Sequence, residues 1–263
     1  MNTENDPGRR RIKSIDKASN ILTILKKEHG ARIVDIAAMT GMSKGAVHTY
    51  LDTLRQQGFV VREENTYRVG LKFVEYGEFS KQQVNIYDYA VPIVDQLAEQ
   101  TGELVRLVVE ERGWGVFLYK SAGENAVKTS IPDGNREYLH CTAQGKAILA
   151  NMPEPRVENI VEERGLPRMT EHTITDREEL FDDLERIREK GVAFSNGEIT
   201  RGLICVASPI KAANDRVDGA IGICGPVSRM QNEGYKNRIA ERVREMGDVI
   251  QVNHQLADEE RTA

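Results

Sequence analysis

Apolar residues in the first seventy positions recur at three- and four-residue intervals and then switch to strict alternation. Between Ser14 and Glu28, Ala18, Ile21, Leu22 and Leu25 form one stripe behind an N-capping Ser14, and Gly30 ends the helix. A short helix is predicted over 34–39, a tight turn at Gly41, and a third helix over 44–57 capped by Ser43. Val47, Leu51 and Leu54 turn inward on that helix, and Gly58 sits at its C-terminal end. Residues 59–62 and 66–69 then alternate as strands about Glu63, Glu64 and Asn65. Helix, turn, helix and hairpin in this order make a winged helix-turn-helix, whose third helix suits the DNA major groove.

The pattern changes further on. Leu71, Phe73, Val74 and Phe79 predict a connecting helix that ends near Val84, with an apolar face suited to another subunit. Val91, Val94, Leu97 and Ala98 predict a helix over 87–100, stopped by Thr101 and Gly102. Strands follow at 104–110 and 116–120 around Gly113, Trp114 and Gly115. Helices are expected at 142–151, after the break at Pro153, Glu154 and Pro155 to about Arg164, and at 176–190 between a capping Thr175 and Gly191. Strands at 192–194, 203–211 and 217–224, the last two joined by a turn at 214–216, precede a closing helix over 232–255. Helices gathered around an antiparallel sheet give an α+β body with room for a small ligand. The organisation is therefore a basic arm (1–13), a winged helix-turn-helix (14–70), a linker helix (71–86), a ligand domain (87–256) and a short tail (257–263).

Charge sharpens this division. The chain has a formal net charge of −5, which argues against nucleic acid until it is split. Residues 1–83 carry 14 Lys/Arg and 10 Asp/Glu, a net of +4, while the remainder carries 22 and 31, a net of −9. An acidic body with a basic head suits a protein that meets DNA with its head alone. The cluster Arg9, Arg10 and Arg11 either follows phosphates or is a solvated tail. No apolar run is long enough for a membrane span, and the N-terminal residues lack a signal-peptide core, so a cytoplasmic chain with no membrane partner is expected. The three cysteines, Cys141, Cys205 and Cys224, have no CxxC spacing and are expected to be reduced thiols.

Two groups of residues carry candidate chemistry. On the third helix, Ser43, Lys44, Gly45, His48 and Thr49 fall on the face opposite the apolar stripe, where they can meet phosphates and base edges. Arg62 and Arg68 on the wing either touch phosphates or keep an edge strand soluble. Farther along, Thr142, Ala143, Gln144 and Gly145 open a helix whose first amides and dipole suit a carboxylate. Gly145 either admits a ligand to the backbone or is needed only for packing. Cys205 and Ser208 on one strand, with Gly222 and Cys224 on the next, could close the other side. An enzyme built on Cys141 or Cys205 lacks a placed base, and adjacent His140 and Cys141 would point apart. The five histidines form no metal motif, so neither metal nor cofactor is expected. A winged helix that binds protein instead of DNA is the other alternative, although the polar face at Ser43 and Lys44 argues against it.

Three segments, HCTAQGKAILA at 140–150, GVAFSNGEITRGLICVASPI at 191–210 and GAIGICGPVSR at 219–229, together with the head, resemble the IclR-type transcriptional regulators. The resemblance runs from about Ile15 to Gln255. It implies a GAF-like effector domain that binds a small organic molecule, and a homodimer or homotetramer that binds double-stranded promoter DNA. It also implies ligand contacts at Ala143, Gln144, Leu203, Cys205, Gly222 and Cys224, with Glu137 at the edge. Members that bind short keto acids tend to carry an acid at the position of Ser195 and serines at those of Gly222 and Cys224. The loss of those polar groups points to a different effector, a carboxylated or hydroxylated metabolite such as a sugar acid or an aromatic acid.

Overall fold

The computed structural model describes residues 12–212 and 216–262, so the arginine cluster at 9–11 and most of the turn at 214–216 lie outside the described residues. The chain divides into two compact units, Met1–Ser80 and Lys81–Ala263.

The first unit begins with α1 (Lys13–Lys27), α2 (Ile33–Thr40) and α3 (Lys44–Gln56). The hairpin β1 (Val60–Glu63) and β2 (Thr66–Val69) follows, and α4 (Lys72–Gln82) leaves the unit. Ile21, Leu25, Ile36, Val47, Leu51, Val60 and Tyr67 meet in one buried cluster, which is the inward stripe read from the sequence plus the wing. Gly41 turns the chain between α2 and α3 at φ 69°, a left-handed conformation that favours glycine. Ser14 does not cap α1. The helix starts two residues earlier, at Lys13 with Ile12 as its N-cap, because the amides of Ile15 and Asp16 both bond the Ile12 carbonyl.

The second unit contains α5 (Tyr87–Thr101), β3 (Leu104–Glu111), β4 (Trp114–Ala122), β5 (Arg136–Tyr138) and a single 3₁₀ turn, Leu139–Cys141. It continues through α6 (Ala143–Ala150), α7 (Glu154–Arg164), α8 (Arg177–Lys190), β6 (Ala193–Asn196), β7 (Leu203–Lys211) and β8 (Val217–Pro226). It ends with α9 (Val227–Met230) and α10 (Glu233–Thr262). The strands pair antiparallel in one six-stranded sheet ordered β5-β4-β3-β8-β7-β6.

Alternation along the strands divides the core in two. Val105, Leu107 and Val109 of β3, Ile221 and Ile223 of β8, and Ile204 and Val206 of β7 pack with α5 and α10. Val108, Ala220 and Ala207 face the other way, toward α6 and α8. This second face holds the candidate ligand site.

The structure departs from the sequence reading at three further element ends. Asp176, not Thr175, caps α8, its Oδ1 accepting the Glu179 amide at 3.0 Å. The β3–β4 turn lies at Arg112 and Gly113, and β4 already includes Trp114. The last helix runs beyond residue 255 to Thr262, through a stretch without Gly or Pro to stop it.

Candidate functional site

In the head, Ser43, Lys44, Gly45, His48 and Thr49 are all exposed on one face of α3, while Val47 and Leu51 are fully buried on the other. The Ser43 hydroxyl accepts the Ala46 amide at 3.2 Å, so it caps α3 as the sequence predicts. Thr49 donates its hydroxyl to the Gly45 carbonyl at 3.1 Å. Nothing lies within 4 Å of the place a Gly45 side chain would occupy, so the fold itself does not require glycine there.

The wing separates its two arginines. Register pairs Arg62 with Tyr67 and Arg68 with Val61, which sets them on opposite faces of the hairpin. Arg62 lines a groove with His48, Asp52 and Arg55 of α3, its Nε donating to the Glu64 carbonyl at 2.7 Å. Arg68 lines a different groove, with Ser19, Lys26 and His29, and pairs with Glu63 at 3.0 Å. Only Arg62 shares a surface with the exposed face of α3.

In the second unit, every residue of α6 is buried. Thr142 Oγ1 accepts the Gly145 amide at 3.0 Å and the Thr142 carbonyl accepts the Lys146 amide at 2.9 Å. The open donors of the first turn are therefore the amides of Ala143 and Gln144. A side chain on Gly145 would come within 2.2 Å of the Leu139 carbonyl, so this glycine is required for packing against the 3₁₀ turn. Between the two roles that the sequence leaves open for Gly145, the geometry selects packing.

Opposite α6, a row of residues crosses the sheet: Ala207 on β7, Gly222 on β8, Arg106 on β3 and Lys120 on β4 are direct register partners. The Gln144 side chain covers Gly222, and a Cβ at position 222 would stand 2.6 Å from its Nε2. That nitrogen is buried and has no hydrogen-bond partner among the described residues. Ser195 is buried on β6, opposite Cys205 in register, and donates its hydroxyl to the Cys141 carbonyl at 3.2 Å. Leu203, Cys205 and Cys224 lie on the same face, by alternation from Ala207 and Gly222. Ser208 lies on the reverse face, its Oγ 2.9 Å from where a side chain on Gly247 of α10 would be, and leaves the candidate set.

Cys205 and Cys224 form a disulfide, contrary to the expected reduced thiols. Their separation of 19 residues carries no CxxC signal, but the β7–β8 register sets them directly opposite, with Cα atoms 4.1 Å apart. Cys141 remains free and buried, its thiol donating to the Tyr138 carbonyl at 3.3 Å. Burial, with Glu137 and Glu198 nearby, pushes that thiol up to about 12. A thiol held neutral in this way is not a nucleophile. His140 bonds the Pro167 carbonyl at 3.2 Å, and burial lowers its pKa.

Sequence reasoning missed two cations here. Arg106 is 5% exposed, its guanidinium 4.4 Å from the centre of the Phe117 ring. It donates from Nη2 to Thr129 Oγ1 at 2.9 Å, and its Nε is buried without a hydrogen-bond partner among the described residues. Glu137 faces the same region: burial raises its pKa, while its Asn135 hydrogen bond and Arg106 pull it back. Lys146, on α6, is 2% exposed and bonds Glu198 at 2.8 Å and Asp183 at 2.9 Å. The signal for both was a lone charge in an apolar run, LVRLVV and GKAILA.

A winged helix-turn-helix with a free polar recognition face, in one chain with an α+β domain, defines a DNA-binding regulator with a ligand-sensing module. The IclR helix-turn-helix domain matches residues 14–64, and the bacterial transcriptional regulator IclR C-terminal domain matches residues 79–252. The chain belongs to the IclR family of transcriptional regulators, which are DNA-binding proteins with an effector domain and not enzymes. It is 31% identical over 252 residues to the probable HTH-type transcriptional regulator ArcR of Halobacterium salinarum, covering 94% of this chain and 96% of that one. Among solved structures it resembles the IclR of Thermotoga maritima, at 30% identity and a TM-score of 0.74, over 92% of this chain and 100% of that one. It shares its fold with an IclR homolog of Microbacterium hydrocarbonoxydans complexed with 4-hydroxybenzoate, at 22% identity and a TM-score of 0.77, over 92% and 98% of the two chains. No helix among the described residues is long and apolar enough to cross a membrane.

Proposed function

We infer that this chain is a cytoplasmic, ligand-responsive regulator of a catabolic operon, with its effector held between the start of α6 and the β3-β8-β7 face. The observation that carries this reading is the buried, unpartnered Gln144 Nε2 over Gly222, because a polar group sealed from water without a partner is costly unless a ligand supplies one. The open amides of Ala143 and Gln144 add donors for an acidic or hydroxylated compound. The fold relative that holds 4-hydroxybenzoate, a hydroxylated aromatic acid, supports the same ligand class.

Lys44, His48 and Thr49 read bases or phosphates in this account, Gly45 admits the DNA backbone, and Arg62 holds the flank from the wing. A homodimer sets two such heads about one helical turn of DNA apart. Support for self-association comes from α4 and its start, where Leu71, Val74 and Phe79 are exposed apolar residues. Effector and operator then compete or cooperate only through the difference in effector affinity between two arrangements of the bodies.

The test is fluorescence anisotropy on the DNA upstream of the chain's own gene, over a salt series and with a panel of organic acids and sugars. Tight, sequence-selective, salt-sensitive binding that one compound class shifts is expected. Weak binding without sequence selectivity would overturn the reading.

A further inference from the structure

Arg106 is the anomaly of the second unit. It occupies the middle of a strand whose neighbours Val105, Leu107 and Val108 are almost completely buried, and it is 5% exposed itself. Burial lowers the pKa of its guanidinium, the first sign of a cation held away from water. Asp133 and Glu137 lie near enough to act on it through space, yet no ion pair joins it to either among the described residues. Asp133 pairs with Lys81 through Oδ2 at 3.2 Å and keeps a buried Oδ1 without a hydrogen bond among the described residues, and Glu137 is bonded to Asn135 at 2.8 Å. The neighbouring cation of the row, Lys120, is spent on the Ile131 carbonyl at 2.8 Å. Arg106 is left with one neutral hydrogen bond, to Thr129, and a buried Nε without any. The guanidinium thus has carboxylates within electrostatic range but no direct, charge-assisted hydrogen bond to an anion among the described residues.

Two strands of observation converge on one place. Gly222, the register partner of Arg106, is the residue that Gln144 covers with its own unpartnered Nε2. Gln144 therefore hangs over Gly222, and Arg106 rises from the register-paired position of the same sheet face. We propose that Arg106 and Gln144 form an anion subsite for the carboxylate of an organic acid, with Glu137 at the far side available to a hydroxyl. This rests on the reading of the α6 face as the effector site, and it narrows the effector from any carboxylated or hydroxylated compound to one that must carry an anionic group. Neutral sugars fall outside it. Arg106 would then be the residue that distinguishes an acid from its neutral analogue, since loss of a charge-assisted pair in a desolvated site leaves the guanidinium unmatched.

The experiment titrates the full-length protein with benzoate, 4-hydroxybenzoate and acetate, and with benzamide and 4-hydroxybenzamide as neutral matches, following melting temperature and heat of binding. The wild type should bind at least one acid roughly tenfold or more tightly than its amide. Arg106→Gln should erase that difference, and Arg106→Lys should keep part of it. Equal binding of acid and amide would overturn the proposal, as would acid affinity unchanged in Arg106→Gln. So would the absence of any acid-induced stabilisation of the wild type at about 10 mM. The acid–amide comparison uses unaltered protein and stands even if Arg106→Gln fails to fold. Operator binding, measured in parallel, separates the two readings. Acids that bind through Arg106 without changing DNA affinity support the subsite and defeat the regulatory reading. Acids that change DNA affinity equally in wild type and Arg106→Gln do the reverse.

Discussion

Gln144 Nε2 sits in the space that Gly222 leaves open, 2.6 Å from where a β-carbon at 222 would stand. A side chain at 222 has no other place to go, because Ala207 closes the remaining side at 3.0 Å. Gly222→Val should push Gln144 off the sheet and cost about 1–3 kcal/mol of stability, the usual penalty of overpacking. The head belongs to the other compact unit, so its DNA affinity should persist while any effector response is lost. Urea melts and operator titrations with and without effector check both parts, and a variant that still responds would place the ligand elsewhere.

The wing offers a comparison of two arginines that composition treats alike. Arg62 shares a groove with His48 of α3, whereas Arg68 is on the other face with Lys26 and His29. Arg62→Ala should therefore weaken operator binding and lower the salt slope by about 0.9, the loss of one phosphate contact. Arg68→Ala should leave the slope nearly unchanged. Equal effects of the two substitutions would mean that the wing meets DNA in another orientation.

Gly45 tests whether α3 touches DNA with its backbone. Its side-chain position is empty, so Gly45→Ala should fit and stabilise the helix by about 0.5–1 kcal/mol. Operator affinity should nevertheless fall, since the added methyl group would stand between backbone and phosphate. A variant that is more stable and binds DNA as well as the wild type would give Gly45 no part in the interface.

Why some of this was readable from sequence and some was not follows from the range of the interactions involved. Gly41, Ser43 and the Val47–Leu51 stripe act within one turn of chain, so local pattern identifies them, and the three IclR-like segments do the same for the body. Ser14 failed as a cap because the Ile12 carbonyl already served the first turn, a choice with no side-chain signature. The strand Arg136–Tyr138 is too short for alternation to register. The Cys205–Cys224 pair, the Gly145–Leu139 contact and the row Ala207–Gly222–Arg106 all depend on strand register and sheet order. Those are properties of the assembled sheet, and no window of sequence contains them.

Lys146 ties α6 to α8 and to the segment after β6, through Asp183 and Glu198, from an almost completely buried position. Replacing it with methionine keeps the packing volume but leaves Glu198, 7% exposed, without its counter-ion. Breaking a buried pair from one side costs about 3–5 kcal/mol. The cost should depend on pH. Burial raises the pKa of Glu198 and Lys146 opposes that, so Lys146→Met raises it further. A carboxyl whose folded pKa exceeds its unfolded value holds more protons in the folded state, and stability falls as pH rises through that interval. Lys146→Met should thus be least destabilised in acid, just below the ordinary carboxylate range, and lose ground toward neutrality. Lys146→Met combined with Glu198→Gln should recover much of the loss and flatten the pH dependence. Urea unfolding of the three proteins at acid and neutral pH decides it: a pH-independent loss in the single variant would mean that Lys146 acts through packing and not through its charge.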